Sequence, residues 1–154
     1  MVEKRVSDSV TEQVQVLNMA NMNGSSRLFG GQLMAWIDVV AAVVARRHSG
    51  RNVTTASVSE LTFKEPAYAN DTLVLRGHIT YAGRTSMEVC VESFVEELSG
   101  EKRLINRAFL TMVAIDENGV PCEVPALIIE TENERREYEA ARKRRELRKS
   151  ASNG

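Results

Sequence analysis

One long apolar stretch, residues 28–45, contains a single ionisable side chain, Asp38. The stretch is shorter than the roughly 20 residues of a membrane-spanning helix, and a central aspartate adds about 2.5–3.5 kcal/mol to the cost of insertion. It therefore predicts a buried helix in a globular domain. A carboxylate among apolar neighbours loses its hydration and must be paired, protonated or used, so we regard Asp38 as a candidate catalytic group.

The overall composition limits the classes of function. The chain has 154 residues, 43% of them hydrophobic, which suits one globular domain with a substantial core. We expect a single domain over 1–154, with its core at about 10–130 and a charged tail at about 131–150. The net charge of -1 gives no general attraction to nucleic acid or to an anionic membrane, so we expect neither as a partner.

The cysteines and histidines are few. Cys90 and Cys122 are too far apart in sequence to indicate a disulfide framework, and together with His48 and His78 they show no metal-ligand spacing. We therefore expect no metal site and a reducing compartment. The N-terminus lacks the apolar segment of a signal peptide, which favours a cytoplasmic location.

The pattern of the central part predicts one helix and a sheet. A helix is expected from about Gly30 to His48, and because it is apolar on every side it should be wrapped by other elements. Residues 1–26 are polar and are expected to be flexible. Alternating apolar and polar residues predict strands at 14–17, 53–63, 73–81, 87–95 and 104–115.

Short links between these strands favour hairpins at 82–84 and 98–101, and hence an antiparallel meander. One long helix against such a sheet is an α+β fold. The tail begins with a T-x-x-E pattern at Thr131 and Glu134 and predicts a solvated helix, whose basic cluster 142–145 is expected to be an exposed face.

Several motifs taken together resemble the hotdog-fold acyl-CoA thioesterases. They include the Gly-Gly pair that precedes the acid in residues 28–38, the run Val-Thr-Thr-Ala-Ser-Val at 53–58, and Gly-Arg-Thr-Ser-Met-Glu-Val at 83–89. The resemblance is greatest to the bacterial short- and medium-chain acyl-CoA hydrolases and their animal cytosolic counterparts. It implies a hotdog fold, an antiparallel sheet wrapped around one long central helix, with active sites where two subunits join. It also implies a homo-oligomer, with a dimer as the active unit and a trimer of dimers as the assembly.

The resemblance implies roles for particular residues in hydrolysing acyl-CoA to coenzyme A and a carboxylic acid. At the position of Asp38 the family has a general base or nucleophile, and a backbone amide near the position of Gly30 polarises the thioester carbonyl. Thr55 matches a strand position that faces the acid across the interface. Asn23 is a further candidate because many relatives have an asparagine shortly before the glycine pair, although the intervening Ser25-Ser26-Arg27 departs from their pattern.

Elementary chemistry agrees with these roles. Hydrolysis of a thioester needs a base for water and donors for the carbonyl oxygen, and the free N–H groups that begin a helix at Gly30 and Gly31 are such donors. Eight residues of helix rise about 12 Å, so Gly30 and Asp38 of one chain cannot reach the same thioester. The two groups must come from two chains packed about a twofold axis.

A second motif suits the coenzyme rather than the acyl group. Gly83, Arg84, Thr85 and Ser86 combine a turn glycine, a cation and two hydroxyls, which would fit the phosphates or pantetheine of coenzyme A. No metal or redox cofactor is expected, since coenzyme A enters as part of the substrate. Two alternatives remain open: a non-catalytic module that senses acyl-CoA, and a hotdog dehydratase or hydratase, which generally needs a histidine beside its acid.

Overall fold

The structure is a computed structural model that describes residues 2–153, and its main elements are one five-stranded sheet and two long helices. In chain order the elements are β1 (Lys4–Arg5), β2 (Thr11–Val16), α1 (Gly30–Ser49), β3 (Asn52–Phe63), β4 (Thr72–Ala82), β5 (Ser86–Glu96), β6 (Lys102–Ile115), β7 (Leu127–Ile128) and α2 (Glu132–Asn153). The expected α+β class, the long helix and all five expected strands are confirmed, with shifts of a few residues at the ends.

The sheet is antiparallel throughout, with the strand order β2-β4-β5-β6-β3. The expected hairpins join β4 to β5 and β5 to β6. The meander is confined to these three central strands, because the chain crosses over through α1 and places β3 beside β6. As a result β2 and β3 are the two edges of the sheet.

Helix α1 lies on the concave inner face of the sheet and packs by one stripe of apolar residues. Members of this stripe are at most 1% exposed: Leu33, Ile37, Val40, Ala41, Val44 and Ala45. The helix approaches β4 closely at Gly77, where a Cβ would lie 2.7 Å from Cγ1 of Val40. A larger residue at Gly77 would push the helix off the sheet.

The expectation that α1 is enclosed on every side is wrong for one chain. Gly31, Ala35, Asp38 and Val39 form an exposed stripe, and Val39 keeps 55% of its accessible surface. The edge strand β3 runs beside this stripe. The sequence is apolar on both sides of the helix, but the single chain covers only one of them.

Residues 2–26 are more ordered than their polarity suggests. They contain β2 and the short strand β1, which pairs in parallel with β7, and Val6 and Leu17 join the core. The expectation of a flexible start is therefore wrong. The pairing of Lys4 with Leu127 joins two segments that are far apart in sequence, and no local pattern announces it.

Helix α2 packs across the outer face of the sheet, opposite α1. The T-x-x-E start is confirmed, since the backbone N–H of Glu134 donates to Oγ1 of Thr131 at 3.0 Å. The expected solvated helix is wrong on one face, where Ala141 is 1% exposed and Arg144 reaches the sheet. Among the described residues, no helix is long and apolar enough to cross a membrane.

Candidate active site

Asp38 and Thr55 form the central contact of the candidate site. The Thr55 hydroxyl donates to Oδ1 of Asp38 at 2.6 Å, joining the exposed stripe of α1 to the edge strand β3. Thr55 pairs across the sheet with Met112, which is fully buried against the helix, so its side chain is on the inner face. A β-bulge follows at Thr55–Ser57, and bulges of this kind commonly re-aim side chains beside functional sites.

The surroundings of Asp38 differ from the desolvated pocket expected from the sequence. The carboxylate of Asp38 is exposed in the single chain, so the expected burial is wrong for one chain alone. The reason is helical geometry: successive residues point about 100° apart, so the apolar neighbours Ile37 and Val40 face the core while Asp38 faces outward. Desolvation of this carboxylate requires a second surface.

The surface around Asp38 has the properties of an incomplete interface. Val39 and Val58, 55% and 39% exposed, flank the Asp38–Thr55 contact. The strand β3 has 12 residues and is an edge of the sheet, with β6 as its one neighbour among the described residues, and the outer backbone groups of such an edge are available to another chain. We call this region, made of Asp38, Val39, Thr55 and Val58, the open face.

The start of α1 supplies hydrogen-bond donors. Phe29 precedes the helix in an extended conformation without a side-chain cap, and its carbonyl accepts from the N–H groups of Gln32 and Leu33. The N–H groups of Gly30 and Gly31 have no carbonyl one turn earlier to bind. A Cβ at Gly31 would lie 2.6 Å from the ring of Phe29, so this position must be glycine for the ring to lie as it does.

A cavity of about 280 Å³ lies beside this helix start. Asn23 is one of its walls, but the Asn23 side-chain oxygen already accepts from the N–H groups of Ser25 and Arg27, at 2.8 and 3.2 Å. The Asn23 amide nitrogen is the donor that remains. Arg27, Phe63 and Lys64 also line this cavity, but the sequence did not predict them as site residues. The break after β3 at Glu65-Pro66, which lies in the same cavity wall, was the signal that could have pointed to them.

The hairpin of Gly83 to Ser86 closes at one end of the sheet. The N–H of Gly83 donates to the Ser86 carbonyl at 2.8 Å, while the carbonyls of Arg84 and Thr85 accept from neighbouring segments. Cross-strand pairing runs from Ser86 to Val113 and on to the residue before Thr55, which places the hairpin at the same end of the sheet as Thr55. Arg84 is exposed there.

One chain therefore brings together some of the expected residues and separates others. Asp38 meets Thr55 within one chain, whereas the resemblance implied that they face each other across the interface between subunits. Asn23 shares a cavity wall with the loop that leads into Gly30 and Gly31. Asp38 and Gly30, however, are eight residues apart on a single helix, about 12 Å along its axis. Within the described residues of one chain, Asp38 and Gly30 therefore do not belong to the same site.

Neither histidine lies beside the acid. His48 is fully buried at the end of α1, where its Nε2 donates to the Pro125 carbonyl at 2.7 Å and burial lowers its pKa. His78 lies on the outer face of the sheet, 2.7 Å from Glu137. This arrangement argues against a dehydratase, which pairs a histidine with the acid.

Comparisons with known proteins agree with this geometry. The family model described as Thioesterase superfamily matches residues 26–100. An acyl-CoA thioester hydrolase of Bacillus subtilis, YkhA, is 42% identical over 113 residues, which are 73% of this chain and 66% of that protein. The chain aligns with only 23% and 27% of the length of two mouse thioesterases.

Solved structures are similar over nearly the whole chain. A hexameric acyl-CoA thioesterase in its apo form is 40% identical, with a TM-score of 0.94 over 99% of this chain and 98% of the other. An acyl-CoA hydrolase from Staphylococcus aureus, in complex with butyryl coenzyme A and coenzyme A, is 34% identical, with a TM-score of 0.91 over 97% and 92% of the two chains.

Proposed function

The chain belongs to the thioesterase superfamily, and we propose that it hydrolyses acyl-CoA to free coenzyme A and a carboxylic acid. The observation that carries the proposal is the 2.6 Å contact between Asp38 and Thr55 on an unpartnered face. A carboxylate that is held by one hydroxyl and otherwise open can accept a proton from water. The proposed reaction needs no metal or redox cofactor, because water supplies the nucleophile and the substrate supplies the leaving group, coenzyme A.

In the proposed reaction Asp38 acts first as a base. It takes a proton from water as the water oxygen bonds to the thioester carbon, and the carbonyl oxygen becomes an oxyanion. Collapse of the tetrahedral intermediate breaks the carbon–sulfur bond, and the proton held by Asp38 passes to the coenzyme A thiolate. The Thr55 hydroxyl keeps the carboxylate oriented throughout.

Direct attack by Asp38 on the thioester carbon is the alternative chemistry. It would form a mixed anhydride that water then hydrolyses. A single turnover in ¹⁸O-labelled water separates the two, because a base places the label in the carboxylic acid at once. A nucleophile instead leaves label in Asp38 and gives a first product with unlabelled oxygen, when water opens the anhydride at the Asp38 carbonyl carbon. Label found in Asp38 therefore identifies the nucleophilic route.

The oxyanion needs donors, and the start of α1 supplies them in our proposal. The N–H groups of Gly30 and Gly31, aided by the helix dipole, would polarise the carbonyl. Since Gly30 and Asp38 of one chain are too far apart, each site takes the acid from one subunit and the helix start from its partner. Burial of the open face by that partner would also desolvate Asp38.

Variants of the S. aureus enzyme support these assignments. Solved structures of that enzyme carry alanine in place of an asparagine, an aspartate and a threonine. Their spacing along that chain equals the spacing of Asn23, Asp38 and Thr55 along this one. We therefore assign Asn23 to the same site, where its amide nitrogen would donate to the substrate.

The coenzyme and the assembly follow from the same reasoning. Arg84, exposed at the hairpin of Gly83 to Ser86, would pair with a phosphate of coenzyme A, and Thr85 and Ser86 would donate hydrogen bonds to it. The hexameric form of two similar thioesterase structures supports a trimer of dimers in which the dimer is the active unit. A monomer should be inactive.

The test is release of coenzyme A thiol from a panel of acyl-CoA chain lengths. The wild type should release thiol from at least one chain length, and Asp38→Asn should not, although it should still bind the substrate. Glu117→Gln, at an exposed acid in the turn that follows β6, is the matched control and should keep wild-type rates. Tight acyl-CoA binding without thiol release by the wild type would contradict hydrolysis and support a sensor.

A further inference from the structure

Three potential metal ligands lie together on the outer face of the sheet, opposite the face that carries Asp38. His78 on β4 pairs directly with Cys90 on β5, and Glu92 follows two residues later on the same side of β5. Their imidazole, thiol and carboxylate ligand atoms all lie within 4.8 Å of one another. Sheet geometry therefore sets the cluster, and no spacing in the sequence predicts it, because His78 and Cys90 meet only through strand pairing.

Helix α2 packs beside this cluster. Oε2 of Glu137 lies 2.7 Å from Nε2 of His78, so this carboxylate fixes the orientation of the ring. Histidines that bind metals commonly have a carboxylate at the other ring nitrogen, which fixes the tautomer and makes the ligand nitrogen more basic. Glu137 of α2 therefore contacts the ligand His78, whereas the three ligands themselves come from β4 and β5.

Access to the cluster is open. One cavity of about 370 Å³ is lined by His78, Glu92 and Glu137. A second cavity, of about 210 Å³, lies against Cys90, Glu92 and Glu137. Cys90 itself is 4% exposed, while the side chains of His78 and Glu92 are 17% and 23% exposed, so an ion could reach the donors without unfolding.

Two features oppose a cation here. Arg107 donates to Glu92 at 2.7 Å, and burial keeps the pKa of the Cys90 thiol far above its ordinary value. The other groups near Cys90 include the carboxylates of Glu88 and Glu137. A divalent ion that binds thiolate strongly can displace the thiol proton, and binding should accordingly release about one proton per ion.

We propose that His78, Cys90 and Glu92 bind a divalent ion of the zinc class. A nitrogen, sulfur and carboxylate set suits zinc, and disfavours magnesium and calcium, which take oxygen ligands. The ion would link β4 to β5 and, through the Glu137–His78 contact, hold α2 on the sheet. Its role is structural, because the cluster is on the opposite face of the sheet from Asp38.

Titration of the metal-free protein with Co²⁺, which substitutes for Zn²⁺ and is coloured, tests the site. The expected result is one cobalt per chain with the near-ultraviolet absorption of a cobalt–thiolate bond, removed by an equivalent of Zn²⁺. Cys90→Ser should abolish that absorption, whereas Cys122→Ser, at the other cysteine, should keep it. Glu137→Gln should weaken binding by about ten- to a hundredfold through the orientation of His78.

A separate measurement shows whether the variants at Cys90 and His78 are folded, so that a loss of cobalt binding can be assigned to the missing ligand. Thiol release from acyl-CoA should be unchanged in Cys90→Ser and in His78→Gln, which reports that both variants are folded. His78→Gln alone should lose most of the cobalt affinity even if Cys90→Ser fails to fold. Absence of the thiolate absorption in the wild type at saturating Co²⁺, or its persistence in the folded Cys90 variant, overturns the proposal.

Discussion

The two faces of the sheet treat their charged groups in opposite ways. On the outer face Glu88 is 3% exposed and is held by Arg144 through two bonds of 3.0 and 2.7 Å, and by the Thr80 hydroxyl at 2.6 Å. On the open face Asp38 is exposed and has the Thr55 hydroxyl as its partner. The charge of Glu88 is matched within one chain, whereas that of Asp38 has no cationic partner among the described residues.

This difference separates stability from function. Arg144 also lies over the ring of Phe109 at 3.8 Å, so the outer cluster combines an ion pair, a cation–π contact and apolar packing. Such a cluster fixes α2 but leaves no group free for chemistry. The open face has an edge strand, exposed valines and an exposed carboxylate held by one hydroxyl, which are the properties of a surface that is completed by another subunit.

The largest expected effect is on activity, at the open face. Replacement of the carboxylate in Asp38→Asn removes the base while keeping the hydrogen bond from Thr55, and should lower kcat by about 10²–10⁴. The free energy of unfolding should change little, because asparagine has nearly the same volume and still accepts the hydrogen bond from Thr55. Thiol release and urea unfolding of the same preparation measure both quantities. Loss of stability equal to that of an outer-face variant would remove the distinction between the faces.

The largest expected effect on stability is at the outer face. Arg144→Met leaves Glu88 buried without its ion-pair partner, and should lower the free energy of unfolding by about 3–5 kcal/mol. The rate of thiol release per folded chain should be unchanged. Arg142→Met, which breaks an exposed pair with Glu139 one turn away, is the matched control and should leave the unfolding midpoint nearly unchanged.

A second substitution sharpens the result. Adding Glu88→Met to Arg144→Met removes the uncompensated charge and should recover part of the lost stability. Failure to recover any would show that Arg144 acts through packing on Phe109 and not through the ion pair.

An intermediate effect is expected at Thr55. Loss of a hydrogen bond to a charged group costs about 1.5–3 kcal/mol, so Thr55→Val should lower kcat by roughly ten- to a hundredfold with little change in KM. Thr55→Ser should restore most of the rate. Thr54→Val, on the exposed neighbour that faces the other side of the sheet, should behave as wild type in steady-state kinetics. Equal rates for the Thr55 and Thr54 valine variants would contradict the role of the contact.

The smallest expected effect concerns the closed end of the same helix, at His48. Burial lowers the pKa of His48 in the folded state and outweighs the hydrogen bond to the Pro125 carbonyl, which raises it; of the smaller contributions, Lys4 lowers the pKa and Asp8 raises it. The unfolded chain therefore takes up the proton first as the pH falls. Stability should therefore decline as the pH drops below about 6.5, by at most about 1.4 kcal/mol per pH unit from this group. His48→Gln should flatten that slope in thermal unfolding. Identical slopes would assign the pH dependence to other groups.

The sequence predicted the elements better than their surroundings. Alternation gave the five strands of the sheet, and the apolar stretch gave α1, because these periodicities are local. Pairing of β3 with β6 depends on the crossover through α1, which no local pattern records. The parallel pairing of Lys4 with Leu127 was not predicted either, because it joins two segments that are far apart in the sequence.

The candidate site was predicted in part. Asp38 and Thr55 were both selected, and they are in contact, but the expected burial of Asp38 failed because neighbours in sequence point to other sides of a helix. The reverse error occurred in α2, where Arg144 looked like part of a solvated cluster. Its partners Glu88 and Phe109 lie on two different strands, and only the packed structure shows them.

The central claim is that each active site takes Asp38 from one subunit and the helix start from its partner. Gly30→Pro removes one N–H donor without breaking the helix, since proline suits the first helical position and Phe29 before it is already extended. Gly30→Ala keeps the N–H and adds a Cβ at an ordinary 3.5 Å from Phe63, so it is the matched control and should stay active.

Subunits carrying Asp38→Asn and Gly30→Pro, each inactive alone, can be co-expressed with different tags and the mixed assembly purified. A mixed dimer has one site with both groups intact and one with neither. In a trimer of dimers with random pairing about half of the dimers are mixed, so the assembly should regain about a quarter of the wild-type rate per chain. Thiol release at that level supports sites shared between subunits. Activity no greater than that of the separate variants would contradict the account.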